Sequence, residues 1–451
     1  MSFPWFRWSG RLAALAVSTL SLFADDWPQW MGPGRDGVWR ETGIVENLST
    51  NPPPVKWKVP VNAGYVGPAV VGNRLFLMDR KAGTAGPRKA GERASGEVPG
   101  NERIVCLDTA TGDKVWEHSY DRPYRISYPA GPRATPIVSG DRVYTLGAMG
   151  DLKCLKAADG SPIWHHDLAK EYTGGEVQAW GWAAHPLLND NLLYCLVGGS
   201  NSAVVAFEAA TGKERWRALT TRETGYAPPM LYTIAGKPTL VVWHPEAIAG
   251  LDPATGDVRW QQTYPIVGKL QRPEVTIATP RFDGRRLFIT SFYHGATLLE
   301  PSADSVRVLW NRKSSRQSEM NDGLHTTMCT PLLKGGFLYG VCGFGELRCL
   351  GVATGDRRWE SLDAVGGEQG LFAHAFLIEQ GDRTWLWNDH GELILAKLNP
   401  MGYFELGRSK LLETVENTRG RDVLWCHPAF AGRRMYVHNG RELICVDLAR
   451  S

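Results

Sequence analysis

Along residues 134–168, ATPIVSGDRVYTLGAMGDLKCLKAADGSPIWHHDL, short apolar runs alternate with turn-forming pairs. Ile137–Val138, Val143–Leu146, Leu152–Leu155 and Ile163–His165 are the runs. Gly140–Asp141, Met149–Gly150–Asp151 and Asp159–Gly160 separate them. Asp bonds nearby backbone N–H groups and Gly accepts positive φ, so these breaks read as tight turns. The pattern predicts four antiparallel strands within 35 residues.

The same order starts again at Gly67, Thr135, His185, Pro228, Thr279, Thr330, His374 and His427, and all but His374 precede Pro. Fourth runs end on Trp116, Trp164, Trp216, Trp260, Trp310 and Trp359, at intervals of 48, 52, 44, 50 and 49 residues. Four strands repeated at such a period predict a β-propeller. The seventh copy, LNPMGYFELG (398–407), has aromatics in place of the Trp, and the eighth, CVDLARS, stops before its fourth strand. VKWKVPV (55–61), with Trp57, supplies a strand of the missing type at the other end of the chain. Pairing it with the last copy closes the ring and removes a sheet edge. The expectation is an all-β, eight-bladed propeller of four-stranded antiparallel blades, closed by the N-terminal strand.

Each fourth strand follows a recurring unit: CLDTATGDKVW (106–116), AFEAATGKERW (206–216), GLDPATGDVRW (250–260), CLGVATGDRRW (349–359) and, more loosely, CLKAADGSPIW (154–164). Acid and Gly shape the turn, and the Trp is expected to pack between neighbouring blades. Cys106, Cys154, Cys349 and Cys445 share one register, filled elsewhere by Ala206 and Gly250. A small buried slot explains them better than disulfides, since free Cys packs as a small apolar residue. No CxxC pair is present, so nothing points to a zinc site.

Residues 1–24 read as a cleaved signal peptide: Arg7 and Arg11 precede the apolar stretch Leu12–Phe23, and Ala24 offers a cleavage site. An uncleaved anchor is the competing reading, though the stretch is short for a bilayer span. An N-terminal extension, 25–54, then leads into one propeller domain, 55–451. Within blade 1, the polar Gly/Ala/Pro-rich insert 81–102 reads as a flexible loop. With 50 Lys and Arg against 47 Asp and Glu, no strong field favours nucleic acid. A periplasmic or secreted monomer with no transmembrane segment after signal cleavage is expected.

The A-x-D-x-x-x-G-x-x-x-W pattern over about residues 55–451 resembles the tryptophan-docking motif of pyrroloquinoline quinone (PQQ)-type propellers. These include quinoprotein alcohol dehydrogenases and BamB-type outer-membrane assembly lipoproteins. DWPQWMGPGRDGVW (26–39), GPRATP (131–136) and WGWAAHP (180–186) resemble an exported bacterial group of PQQ-like repeat proteins. For the enzymes, the resemblance implies a quinone in the central channel, Ca²⁺ held by acid and amide side chains, and an aspartate base. It also implies a disulfide of adjacent cysteines, which this chain lacks.

In such a ring the interblade links share a face with the second-to-third-strand turns. The long segments 120–133, 169–183, 265–277, 313–328 and 413–425 all fall there, which marks that face as the binding surface. The candidates at the channel mouth are Tyr128, Arg133, Trp180, Trp182, His185, Arg272, Glu274, Asp322, His325, His374, Trp425 and His427. Their aromatic and charged character suits a carbohydrate, a peptide strand or a flat cofactor. His185 and His374 belong to opposite blades and are expected to lie too far apart to share a metal ion, whereas His374 and His427 are neighbours. Arg419, Arg421 and Asp422 read as a solvated loop.

Two functions follow. One is an exported, non-catalytic binding or scaffolding propeller with a protein or carbohydrate ligand on the long-loop face. The other is a PQQ- and Ca²⁺-dependent oxidoreductase of alcohols or sugars, in which Asp322 or Glu274 binds Ca²⁺ and a carboxylate takes the hydroxyl proton.

Overall fold

Each quartet of apolar runs forms one antiparallel sheet in the computed structural model, which describes residues 25–48, 52–83, 97–128, 131–174, 176–314, 322–418 and 420–450. Eight four-stranded sheets follow in chain order. Blade 2, for example, is Ile137–Ser139, Arg142–Leu146, Asp151–Lys156 and Pro162–Asp167. Blade 8 takes Ala429–Ala431, Arg434–His438 and Glu442–Asp447 from the C-terminus, and Val55–Pro60 as its outer strand, with Trp57 opposite Cys445. The expected eight-bladed ring and its closure are both present. The signal sequence, 1–24, lies outside the described residues.

The recurring unit is a docking device between blades. Trp57, Trp116, Trp164, Trp216, Trp310 and Trp359 donate their indole N–H to the next blade, to the carbonyls of Thr109, Ala157, Ala209, Pro253, Val352 and Asn399, at 2.8–3.1 Å. Under all of these rings except that of Trp359 lies the turn Gly of that next blade: Gly112, Gly160, Gly212, Gly256 and Gly355. At Gly160, with φ +73°, an added Cβ would sit 2.5 Å from Trp116. Trp260 departs from the scheme: its Nε1 has no partner among the described residues, and its ring covers Gly250, where a Cβ would meet it at 2.2 Å. The turn of blade 5 that it would reach, Ser302–Ser305, contains no Gly.

The small slot lies on the third strand opposite the Trp, as in Cys106 to Trp116 and Cys154 to Trp164, except that Leu298 faces Trp310. All eight cysteines are buried and free. The insert of blade 1 is narrower than expected, because Arg74–Ala82 and Gly100–Asp108 extend as paired strands into both its ends. Arg80 anchors its base, donating to the Val98 carbonyl at 2.7 Å and lying 3.9 Å over the Tyr124 ring. The rest of the insert, 84–96, lies outside the described residues.

Candidate functional site

The central channel is plugged by the chain's own N-terminal extension. Trp27 exchanges backbone hydrogen bonds with Val70 of the blade 1 inner strand, at 2.8 and 2.9 Å, and the Pro28 carbonyl accepts from Val138 of blade 2. The segment then reverses through Gly32 and Gly37, where N–H of Gly37 bonds the Met31 carbonyl at 3.0 Å. Positive φ of 80° at Gly32, with the Trp27 ring 2.9 Å from any added Cβ, leaves no room for a side chain. The strap leaves along blade 7, where Trp39 N–H bonds the Glu379 carbonyl at 2.8 Å.

Arg35 fastens the strap inside the channel. Its guanidinium donates to the carbonyls of Pro186 at 2.8 Å, His185 at 3.3 Å and Pro229 at 3.4 Å. Burial lowers its pKa to about 10. Trp30 projects farther, and its Nε1 donates to Thr279 Oγ1 at 3.0 Å. The indole stacks on His185, with centroids 4.1 Å apart and planes within 4°, and meets His427 edge-on at 4.5 Å.

Between Trp30 and the long-loop face lies a cavity of about 410 Å³. Trp30, Phe376, His185 and His427 form its inner end, while Tyr65, Tyr128, Trp180, Tyr226, Phe372 and Trp425 are in its walls. Trp425 packs against Tyr128 at 5.4 Å and Tyr65 at 5.9 Å; Trp180 packs against Tyr226 at 5.0 Å. Val275 and Ile277 add aliphatic surface, and no Asp or Glu is among the described lining residues. The cavity is therefore an aromatic cage rather than a ring of acids.

Its cation is spent on backbone. Arg133 donates to the carbonyls of Gly131 at 2.7 Å, Ser127 at 2.9 Å and Tyr128 at 2.6 Å, and burial lowers its pKa. These bonds hold the link in which Tyr128 adopts φ 53°. The two histidines are also engaged. Thr135 N–H donates to His185 Nδ1 at 2.8 Å, and Gly67 N–H donates to His427 Nε2 at 3.0 Å, with Thr135 Oγ1 2.6 Å from the same nitrogen. Burial holds His185 well below its ordinary pKa and pushes His427 down to about 3, so both rings are neutral at pH 7.

Of the residues expected at the mouth, Tyr128, Arg133, Trp180, His185, Trp425 and His427 meet here. The others go elsewhere. Trp182 turns into the core beneath blade 2, under Gly150. Arg272 pairs outside the cavity with Glu246 at 2.9 Å and Glu223 at 3.7 Å. Glu274 is buried against His294 at 3.0 Å. His325 is buried, its Nδ1 2.9 Å from the Phe292 carbonyl and its Nε2 accepting from Ser314 N–H. Asp322 is exposed and exchanges backbone-to-hydroxyl bonds with Ser314.

His374 and His427 do not form a pair, because the Phe376 ring lies 4.7 Å from one and 5.7 Å from the other. The histidines that approach are His185 and His427, at 5.4 Å. Among the described residues no group of three or more His, Cys, Asp or Glu is placed to hold a metal ion. Arg421 is not simply solvated: it bonds the fully buried Asp389 at 2.6 Å. Arg419 lies outside the described residues, and Asp422 accepts from Asn417 at 2.8 Å.

Sequence reasoning missed Trp30, Tyr65, Tyr226, Phe372 and Phe376. Trp30 had a signal, the dense W-P-Q-W-M-G-P-G run, but nothing along the chain says that this run folds back into the channel.

A quinone with Ca²⁺ needs acid or amide donors beside the ring. The described lining has no Asp, Glu, Asn or Gln; Glu416 and Glu223 interact with the wall residues Tyr65 and Tyr226 without being part of the lining, and the expected donor Glu274 is committed to His294. These residues do not fit that group.

A family model described as outer membrane protein assembly factor BamB matches residues 100–361. Outer membrane protein assembly factor BamB of Shewanella oneidensis is 25% identical over 234 residues, covering 48% of this chain and 53% of the relative. Polyvinylalcohol dehydrogenase of a Pseudomonas species is 24% identical over 316 residues, covering 62% of this chain and 42% of the relative. The chain thus spans about half the length of the curated relatives it matches. Among solved structures, BamB of Moraxella catarrhalis superposes with a TM-score of 0.54 at 14% identity, covering 87% of this chain and 97% of that one. Quinohemoprotein alcohol dehydrogenase of Comamonas testosteroni superposes with a TM-score of 0.59 at 11% identity, covering 94% of this chain and 81% of that one. At these identities the superpositions establish the fold alone.

Proposed function

This chain belongs to the family of the outer membrane protein assembly factor BamB, and on that footing we propose that it is an exported, non-catalytic propeller that holds a segment of a partner protein on its long-loop face. The observation that carries this reading is the aromatic cavity closed at its inner end by Trp30. Tyr and Trp offer large contact area at low conformational cost, which suits the anchor of a docked segment. Export rests on the signal-like residues 1–24, and N-terminal sequencing of the chain from a periplasmic or culture fraction tests it. No helix among the described residues is long and apolar enough to cross a membrane.

The experiment is a binding titration of the mature chain with short peptides carrying a Phe, Tyr or Trp, and with oligosaccharides, repeated for Trp180→Ala, Trp425→Ala and Trp182→Ala. Peptide binding should weaken at least tenfold in the first two variants. Trp182→Ala, a core change, should lower stability and leave the affinity of the folded fraction intact. Binding of oligosaccharides in place of peptides would reassign the ligand, and peptide binding untouched by both cavity variants would move the site elsewhere.

The rival reading is an oxidoreductase, which the polyvinylalcohol dehydrogenase relative brings into view. It asks for carboxylates around the channel, and the cavity supplies none among its described lining residues.

A further inference from the structure

The two histidines at the inner end of the cavity are fixed not only in position but in which nitrogen carries the proton. A ring nitrogen that accepts from a backbone N–H is the unprotonated one. His185 accepts at Nδ1 from Thr135, so its proton is on Nε2. His427 accepts at Nε2 from Gly67, so its proton is on Nδ1. Neither of these N–H groups has a protein acceptor among the described residues, although both residues line the cavity and are more than nine-tenths buried. Parallel stacking on Trp30 holds the His185 ring in plane.

Two neutral donors thus stand at the inner end of an aromatic cage with no carboxylate among its described lining residues and with Arg133 as the cation there, bonded to backbone carbonyls. A carboxylate entering here would lose its hydration and meet only Arg133, which is already bonded to three carbonyls and interacts with the Glu416 carboxylate, whereas a neutral carbonyl loses less and gains a donor. We propose that the inner end of the cavity recognises a neutral carbonyl oxygen carried on a flat apolar body, the amide of an aromatic residue in a peptide segment, through His185 and His427. This rests on the reading of the cavity as the binding site and adds the chemistry that the site selects.

Three small probes test it: benzamide, toluene and benzoate, titrated into the mature chain and followed by NMR. Benzamide should bind about three- to tenfold more tightly than toluene, the value of a hydrogen bond to a neutral group, and benzoate more weakly than benzamide. His185→Phe keeps a ring on Trp30 and should shrink the ratio of benzamide to toluene affinity toward one. Should that variant fold poorly, the side-chain ¹⁵N spectrum of the unmodified protein serves instead. At pH 7 it should show His185 protonated at Nε2 and His427 at Nδ1, with both signals shifted by benzamide. Equal binding of benzamide and toluene, the opposite tautomers, or benzoate binding most tightly would each overturn the carbonyl inference and leave the cavity as a binding site. Binding by none of the three would overturn the cavity reading as well.

Discussion

The indole of Trp30 lies flat on the imidazole of His185, 4.1 Å between centroids and 4° between planes, although 155 positions separate them in the chain. The contact joins a strap that precedes the ring to the link that enters the inner strand of blade 3, and turns an open channel into a closed-ended cavity.

Trp30→Ala should therefore do two things. Removing a buried Trp costs about 3–5 kcal/mol when the site cannot collapse. It should also free the strap, so that amide protons of residues 27–39 exchange faster than those of the blades. Hydrogen exchange beside urea unfolding checks both, and a variant that lost stability with strap protection intact would contradict the role given to this contact.

The buried histidines make stability fall with acid. Burial pushes His244, His325 and His374 down to about 4 and His427 to about 3, against about 6.5 in the unfolded chain. The stability they confer is complete above the unfolded value and is lost as pH falls toward the folded values. Glu223 has the opposite sign, because burial raises it to about 7, so its contribution is greatest below its unfolded value and disappears as pH rises through 7. Unfolding free energy should drop between pH 6.5 and 4, and Glu223→Gln, which removes the opposing group, should make the drop steeper. Urea titrations at stepped pH measure this; a shallower drop in the variant would reverse the assignment.

Two glycines separate backbone strain from blade docking. Gly140, φ +57°, has nothing within 4 Å of an added Cβ, whereas Gly160, φ +73°, has the Trp116 ring at 2.5 Å. Gly140→Ala should cost about 1–2 kcal/mol from backbone strain. Gly160→Ala should add about 1–3 kcal/mol for displacing the Trp. Equal melting temperatures for the two would show that the Trp116 contact contributes little.

The ring was legible because its signals are local and periodic: turn pairs, alternating runs and a Trp at the end of six consecutive units. Even the irregular Trp260 had a trace, since EPSADS lacks the Gly on which other copies dock. The face of the cavity was legible too, from link lengths and strand direction. Its membership was less so. Trp180 and Trp182 lie two apart in one link, yet one lines the cavity and the other turns into the blade 2 core, a choice set by the fold of the link. Glu274 and His325 looked like site chemistry, but long-range partners, His294 and the Phe292 carbonyl, absorb them. Trp30 reaches the channel by a path that no periodicity records.

The measurement that divides the two functions most directly is a titration of the mature chain with PQQ, with and without Ca²⁺, followed by absorbance and by dye-linked oxidation of alcohols and sugars. A binding propeller whose cavity lacks acid donors predicts no Ca²⁺-dependent uptake and no turnover. Stoichiometric Ca²⁺-dependent binding with turnover would contradict it.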